Sequence, residues 1–464
     1  MTARQSEIPA SKWPASKSPA SKSPGPQSEI PRRAVVVTFD RLHLGYIGCY
    51  GNDWVETPHL DRLATAAVVF DRHSCENLDP AAANHAWWNG VYQFPLDADR
   101  QRRSPSFLDE LHAANVKSHL IVESDGRDDT AVAPPFHRVT TVRGADGFDL
   151  ADGETPIART VKRCAEFLAE SAGDSAAELL WIKSRGVPVP WVPPRPFAEL
   201  YLEEFGLAAC GDEDAGNGTD DRDDGDRVGP GAEDEPAERP AAAPVDDSLD
   251  WRYAAAMYAA YVTLLDRWLG QLLAAIDESA DWKGALLIVC AGAGQSLGER
   301  ATLVDERISL RAECLQTPLW LRVPLSDQAG TRRHALVQTV DLAPTLLEWF
   351  CGPTNPLKKG TVPAGGPHPA GHSLLPLVSN QVNSHRDMAL VGNGRLEWGI
   401  CTDEFFYVEQ GDQPGETNRF QPMLFEKPHD RWDQFDVLSQ FPQVSEDLRN
   451  ALRREINQFE MNMP

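Results

Sequence analysis

The chain has 464 residues, of which 42% are hydrophobic and 24% charged, a composition typical of a globular protein with a sizeable core. Its formal net charge of −25 argues against nucleic acid or an anionic membrane as a partner. Eight widely spaced cysteines without a Cys-x-x-Cys pair predict buried free thiols rather than disulfides.

The N-terminal segment predicts a disordered arm. Residues 1–32 are rich in Pro, Ser and Lys and repeat a pentad that begins Pro-Ala-Ser-Lys, so they bury too little apolar surface to offset the entropy of ordering. An anchoring role for Trp13 is the alternative to a plain tail. The arm has no apolar stretch typical of a signal peptide, and no run in the chain approaches the length of a membrane span. We therefore expect a cytoplasmic protein.

The first predicted element of the folded part is a buried parallel strand. Residues 34–40 read AVVVTFD, a β-branched run that ends in a carboxylate. Thr57, followed by a proline, predicts the N-cap of a helix. Comparable apolar runs follow at 119–122, 179–182 and 286–290. Helical patterns lie between these runs, and this alternation predicts an α/β fold with a mainly parallel central sheet.

The later parts of the chain change in character. Residues 209–248 hold fourteen Asp or Glu against three Arg and almost no large apolar residue, which predicts a disordered surface insertion. Their Asp-x-Asp spacings lack the order of an EF-hand loop. A long helix is expected over 251–278. Short apolar runs beyond 376, and an amphipathic stretch over 445–459, predict a small antiparallel sheet closed by a helix.

These patterns divide the chain into three parts. We expect a low-complexity arm over 1–32 and an α/β domain over 33–375 that contains the acidic insertion. A small C-terminal α+β subdomain is expected over 376–464.

Several motifs, taken in order, resemble those of the sulfatase family of the alkaline phosphatase superfamily. The strand end TFD, with LGYIGCYG and TPHLDRLA after it, resembles the opening motif of that family. Downstream, WVPP, TVDLAPTLL and GHSLLPL resemble its later motifs. The order and spacing of the motifs make the resemblance specific, and it covers residues 33–455. It implies a sulfatase-like α/β/α sandwich with a small C-terminal antiparallel sheet.

The resemblance also implies where the catalytic nucleophile would lie. Residues 70–90, FDRHSCENLDPAAANHAWWNG, align without a gap with the C-x-P-S-R segment of the family. In this register Pro80 replaces the Cys or Ser that the family matures to formylglycine, and Asn84 replaces the Arg that holds it. Because proline has no heteroatom with which to attack sulfur or phosphorus, we expect no nucleophile at this position.

A divalent-metal site is implied as well, and this sequence lacks most of its ligands. Asp40 keeps the first of two adjacent Asp residues, but Arg41 replaces the second with a fixed cation. Gly292 and Ala293 replace the Asp-His or Asp-Asn pair of the S-D-H-G-E-x-L-G-E motif. One carboxylate does not hold a hard cation that prefers six or more oxygen ligands. We expect no cofactor, and calcium only if the protein is active.

The charged residues that remain near the implied site form what we call the residual cleft: Asp40, Arg41, Glu123 and Arg185. Glu123 aligns with the cation of the family's G-K-W-H segment, and Arg185 with the first His of H-x-P-H. We expect a guanidinium to occupy the metal position and neutralise Asp40, which would give the cluster a structural role.

Four other residues suggest alternatives that we favour less. Cys75 lies near the lost nucleophile but lacks its activating context, so it predicts a structural thiol. His85 follows Asn84 but has no nucleophile to activate, so it predicts a packed histidine. Trp87 and Trp88 replace small residues and either fill the old pocket, which we favour, or form an aromatic binding floor.

Two functions from different classes follow from this reasoning. We favour a non-catalytic sulfatase homologue that serves as a binding or scaffold protein for an unidentified protein or small-molecule partner. The alternative is an active hydrolase of sulfuric or phosphate esters that uses an unfamiliar nucleophile.

Overall fold

A computed structural model of the protein describes residues 32–93, 106–124, 135–171, 173, 176–206, 248–297, 299, 310–352, 371–394, 396–411 and 421–461. The N-terminal arm up to residue 31, and the acidic insertion up to residue 247, lie outside the described residues. Our expectations for these two segments therefore remain predictions.

The central sheet consists, within the described residues, of eight strands. Their bounds, together with those of a separate two-stranded ladder, are β1 (Arg33–Arg41), β2 (Val68–Phe70), β3 (His73–Ser74), β4 (Lys117–Ser124), β5 (Arg138–Arg143), β6 (Glu178–Gly186), β7 (Leu286–Ala293), β8 (Leu319–Arg322), β9 (Arg332–Arg333) and β10 (Val337–Gln338). The order in the sheet is β5-β4-β6-β1-β7-β8-β2-β9, and β3 pairs with β10. The five strands from β5 to β7 run parallel, while β8 is antiparallel to both its neighbours. The predicted mainly parallel sheet is confirmed.

Helices cover both faces of this sheet. They are α1 (Pro58–Ala66), α2 (Pro80–Asn89), α3 (Phe107–Ala113), α4 (Pro156–Glu170), α5 (Arg195–Leu202), α6 (Ser248–Glu278), α7 (Ala312–Leu315), α8 (Leu342–Cys351) and α9 (Leu375–Val378). Because successive strand residues point to opposite faces, β1 contributes to two cores. Val37 and Phe39 pack with α1, α4, α5 and α6, whereas Ala34 and Val36 pack with α2, α3 and α8. The result is a sheet enclosed between two helical layers.

The C-terminal part contains a second, antiparallel sheet. Its strands are β11 (Ala389–Asn393), β12 (Glu397–Cys401), β13 (Phe405–Gln410) and β14 (Met423–Glu426), and the helix α10 (Pro442–Met461) follows them. Leu452 and Ile456 of α10 pack against Trp398 of β12, in a core that also includes Ala86 and Tyr92. The small antiparallel sheet is confirmed, and its closing helix is longer at both ends than the predicted 445–459.

The start of α1 is capped differently from the sequence expectation. Thr57 occupies the N-cap position, but its Oγ1 accepts a hydrogen bond from Gly48 N–H (2.8 Å) instead of capping the helix. The free N–H groups of His59 and Leu60 donate to the Asp266 carboxylate of α6 at 3.1 and 2.7 Å. Burial raises the pKa of Asp266 to about 6, although these two hydrogen bonds oppose the shift. A residue about 200 positions away therefore fixes the helix end.

The cysteines in the described part of the chain are free thiols, as predicted, and four of them are buried: Cys75, Cys164, Cys290 and Cys314. Among the same residues, no helix combines the length and apolarity needed to cross a membrane.

Candidate functional site

The carboxyl ends of β1, β6 and β7 meet at one edge of the central sheet. Thr38 of β1 is in register with Lys183 of β6 and with Cys290 of β7, so Asp40 and Gly292 are neighbours two residues further along. In open α/β sheets this edge is where ligands bind. The structure thus brings together the positions that the sequence implied for the metal site.

Asp40 is paired with a lysine. Lys183 Nζ donates to Asp40 Oδ2 at 3.1 Å, with side chains 6% and 17% exposed, respectively. We expected a guanidinium in this role, but Arg41 donates to the carbonyl of Gly294 at 3.3 Å. The physical reason is the alternation of a strand: Asp40 shares a face with Val36, whereas Arg41 follows the opposite face.

Lys183 was missed in the sequence analysis, although the sequence contains a signal for it. It is a single cation within the apolar run LLWIK of β6. A lysine is seldom buried unless it has a partner, so such a position predicts an ion pair with a neighbouring strand.

Helix α2 covers the sheet face on which Gly292 lies. A Cβ atom built on Gly292 would lie 3.0 Å from the Trp87 ring and 3.1 Å from Ala83 Cβ. Trp87 and Trp88 are both buried, and their ring centroids lie 6.5 and 6.3 Å from that of Trp181. The two tryptophans are therefore packed core residues, which favours the filled pocket over an exposed aromatic floor.

Pro80 is the first residue of α2, a position where its missing N–H breaks no helical hydrogen bond. The carbonyl of Asp79 accepts from Ala83 N–H at 3.0 Å, which closes the first turn. Asn84 and His85 follow within this helix and are half-buried. Within the described residues, Asn84 Oδ1 accepts no hydrogen bond.

Glu123 and Arg185 belong to a hydrogen-bonded network beside this edge. Glu123 Oε2 accepts from Ser184 Oγ at 2.9 Å and from Arg185 N–H at 3.0 Å. Burial raises the pKa of Glu123 to about 7, although these hydrogen bonds counteract it. The Arg185 guanidinium pairs instead with Asp146 at 3.4 Å, which also accepts from Tyr261 Oη at 2.6 Å. Glu123 and Arg185 are thus linked by a hydrogen bond from the Arg185 backbone and not by a salt bridge between their side chains.

Cys75 has the properties of a structural thiol. It is fully buried, and its Sγ donates to the carbonyl of Cys314 at 3.6 Å. Burial raises the pKa of Cys75 well above the usual thiol value, so the nucleophilic thiolate is not populated near neutral pH.

The architecture corresponds to a known fold. A solved structure in complex with its substrate D-glucosamine-2-N,6-O-disulfate superposes with a TM-score of 0.69 over 94% of this chain and 99% of that one, at 16% sequence identity. The mixed α/β fold with a mainly parallel central sheet and a small antiparallel sheet is therefore the sulfatase fold.

Sequence comparisons agree with this fold. The family model described as Sulfatase matches residues 202–353. N-acetylglucosamine-6-O-sulfatase of Bacteroides thetaiotaomicron is 24% identical over 197 residues, which are 41% of this chain and 31% of the relative. A multifunctional alkaline phosphatase superfamily protein, PehA of Trinickia caryophylli, is 32% identical over 114 residues, which are 23% of this chain and 21% of the relative. The matches thus span less than a third of either relative. Residues 202–353 therefore match the sulfatase family, and the described chain has the sulfatase fold.

The residues at the sheet edge do not fit the calcium site that the family implies. The Asp40 carboxylate already binds the Lys183 ammonium. Gly292 and Ala293 offer no side-chain oxygen, and Trp87 lies against Gly292. A hard dication that prefers six or more oxygens would meet one carboxylate and a fixed cation here.

Proposed function

We propose that this chain is a non-catalytic member of the sulfatase family that acts as a binding or scaffold protein. The observation that supports this most is the Asp40–Lys183 ion pair, located where the family alignment puts a divalent metal. An ammonium ion supplies one positive charge to Asp40 but has no open coordination position at which a metal would polarise an ester oxygen or a water.

Both chemical routes of the family depend on groups that this alignment removes. Attack by a hydrated aldehyde needs a formylglycine precursor, and Pro80 offers no Cys or Ser side chain. Attack by a metal-bound hydroxide needs a metal cage, and Arg41, Gly292 and Ala293 provide no ligands for it. Each route supplies several kcal/mol of barrier lowering in enzymes that use it, so we expect turnover near the uncatalysed background.

The packing of α2 supports the same proposal. Trp87 occupies the volume next to Gly292 that a ligand side chain would need. Because the aromatic ring is fully buried, it leaves only when the core is opened. We therefore infer that the metal position has lost its ligand side chains and that packing of Trp87 has also filled the space beside Gly292.

The binding partner that we propose is a protein or a small molecule. The net charge of −25 disfavours nucleic acid and anionic lipid.

The alternative is an active sulfuric ester hydrolase with a non-standard site, and an assay of turnover separates the two. We expect no hydrolysis of aryl sulfates, aryl phosphates or sulfated sugars above the buffer background, with or without added calcium. Turnover that depends on this protein and on a metal would instead support the hydrolase.

A further inference from the structure

A second group of ligand-type side chains contains no residue of the residual cleft. Asp341 directly precedes α8, His372 precedes α9, and His385 precedes β11. One potential ligand atom from each of the three lies within 4.8 Å of the others. Asp341 is fully buried, the His385 side chain is 10% exposed, and His372 lies at the surface.

The carboxylate in this group is held in place by the backbone. Asp341 Oδ1 accepts from His372 N–H and Oδ2 from Gln338 N–H, both at 2.8 Å. The rings of His372 and His385 are stacked, with centroids 5.1 Å apart and planes 17° from parallel. The two backbone hydrogen bonds orient the carboxylate before a metal arrives, which lowers the entropy cost of binding.

His385 faces the carboxylate at a separation suited to a shared ion. Its Nε2 lies 3.5 Å from Asp341 Oδ2, and within the described residues Nδ1 of His385 has no hydrogen-bond partner. Two ligands with bonds of about 2.0–2.2 Å to one tetrahedral zinc ion lie roughly 3.3–3.5 Å apart. His372 is exposed, so its side chain is able to move the remaining distance of about 1 Å.

We propose that Asp341, His372 and His385 form a binding site for a zinc ion, with water as the fourth ligand. Two imidazoles and one carboxylate favour zinc over calcium or magnesium, which prefer a larger set of oxygen ligands. The site is independent of the proposed loss of sulfatase chemistry, because none of its residues belongs to the residual cleft.

Arg386 limits the affinity of this site. Its guanidinium pairs with Asp341 on the Oδ1 side and lies 3.4 Å from His372 Nδ1. A fixed cation beside the metal weakens binding, and we expect a dissociation constant in the range of about 1–100 µM.

Zinc titration of the chelator-stripped full-length protein, followed by calorimetry, tests the proposal. We expect one zinc per chain, and binding weakened at least about tenfold by His372→Ala and by His385→Ala. His334→Ala is the matched control, because it removes an exposed histidine 3.0 Å from Asp71 without touching the site. Arg386→Gln should tighten binding, since it removes the competing cation.

Two results would overturn the site. One is the absence of binding up to about 1 mM zinc, a concentration far above the expected dissociation constant. The other is binding that His372→Ala leaves intact or that His334→Ala removes, which would identify an adventitious surface ion. Since His372 is exposed, its variant should fold normally even if His385→Ala does not.

Discussion

Lys183 and Asp40 meet between neighbouring strands at the carboxyl edge of the sheet, and both are largely buried. Lys183→Met leaves the Asp40 carboxylate without its cation. We expect the free energy of unfolding to fall by about 1–3 kcal/mol, less than for a fully buried pair because Asp40 is partly solvated. Urea denaturation measures this change.

Arg138→Ala is the control for the Lys183 variant. Arg138 pairs with Glu170 at the surface, where the side chains are 49% and 50% exposed, so its loss should cost less than about 1 kcal/mol. Combining Lys183→Met with Asp40→Asn should recover part of the lost stability, because no charge is then left unpaired. Equal effects of Lys183→Met and Arg138→Ala would show that the Asp40 pair has no special role.

Glu76, in the segment before α2, is a fully buried carboxyl that accepts a hydrogen bond from Thr339 Oγ1. Burial raises its pKa to about 8, although this hydrogen bond opposes the shift. The folded state therefore holds a proton that the unfolded state has lost above about pH 4.5. Stability should fall by roughly 1.4 kcal/mol per pH unit between about 5 and 8, and level off above the folded pKa.

Glu76→Gln removes this titration while keeping an oxygen that accepts from Thr339. The variant should gain stability relative to the wild type as the pH rises from 5.5 to 8.5, measured by urea denaturation at both values. Glu166 lies on the exposed side of α4 and provides the control. We expect Glu166→Gln to show no gain in stability between these two pH values. If the difference between Glu76→Gln and the wild type is the same at both pH values, the buried proton is not present.

At the scale of elements, the contact between α2 and β7 determines whether a metal ligand can be restored. Gly292→Asp places a Cβ 3.0 Å from the Trp87 ring and adds a carboxylate beyond it. Overpacking of this kind costs about 1–3 kcal/mol, and burial of an unpaired charge adds to it. We expect a clear loss of stability in urea denaturation and no gain in calcium affinity.

Trp87→Leu provides room beside Gly292. It also leaves a cavity in the core, which by itself lowers the free energy of unfolding. In that background the additional effect of Gly292→Asp should be smaller, which a double-mutant cycle detects as coupling between the two positions. Additive effects would show that the tryptophan does not block this site.

The long elements were predictable because each one repeats its pattern several times. The β-branched run of β1 and the amphipathic stretch of α10 predicted their elements, with ends displaced by a few residues. The strands β2 and β9 were not predicted, since two or three residues show no periodicity. The Asp266 cap also lay beyond sequence reasoning, because it joins two helices far apart in the chain.

At the candidate site, too, contacts between residues that are distant in the chain could not be predicted from the sequence. The family motifs indicated which residues replace the expected ligands, and the register of β1 with β7 brings Asp40 beside Gly292. They did not indicate Lys183, because strand neighbours are set by the order of the sheet and not by the order of the chain. Asp146 and Tyr261 were missed because they lie on a loop and on α6, which are far apart in the chain.

On the scale of the whole molecule, the fold and the chemistry depend on different parts of the sequence. The fold superposes on a solved structure over 94% of the chain although only 16% of the residues are identical. A packed core depends on the pattern of many apolar residues, each of which tolerates substitution. Catalysis depends on a few polar groups, so the fold persists when those groups are replaced.

The most direct test of the proposed loss of catalysis is turnover of aryl sulfates and aryl phosphates by the purified protein, with and without calcium, beside Asp40→Ala. We predict rates at the buffer background for both proteins under every condition. Pro80→Cys should not restore activity, because Asn84 and Arg41 would still leave the group without support. Metal-dependent turnover by the unmodified protein, lost in Asp40→Ala, would contradict the non-catalytic assignment and establish an active hydrolase.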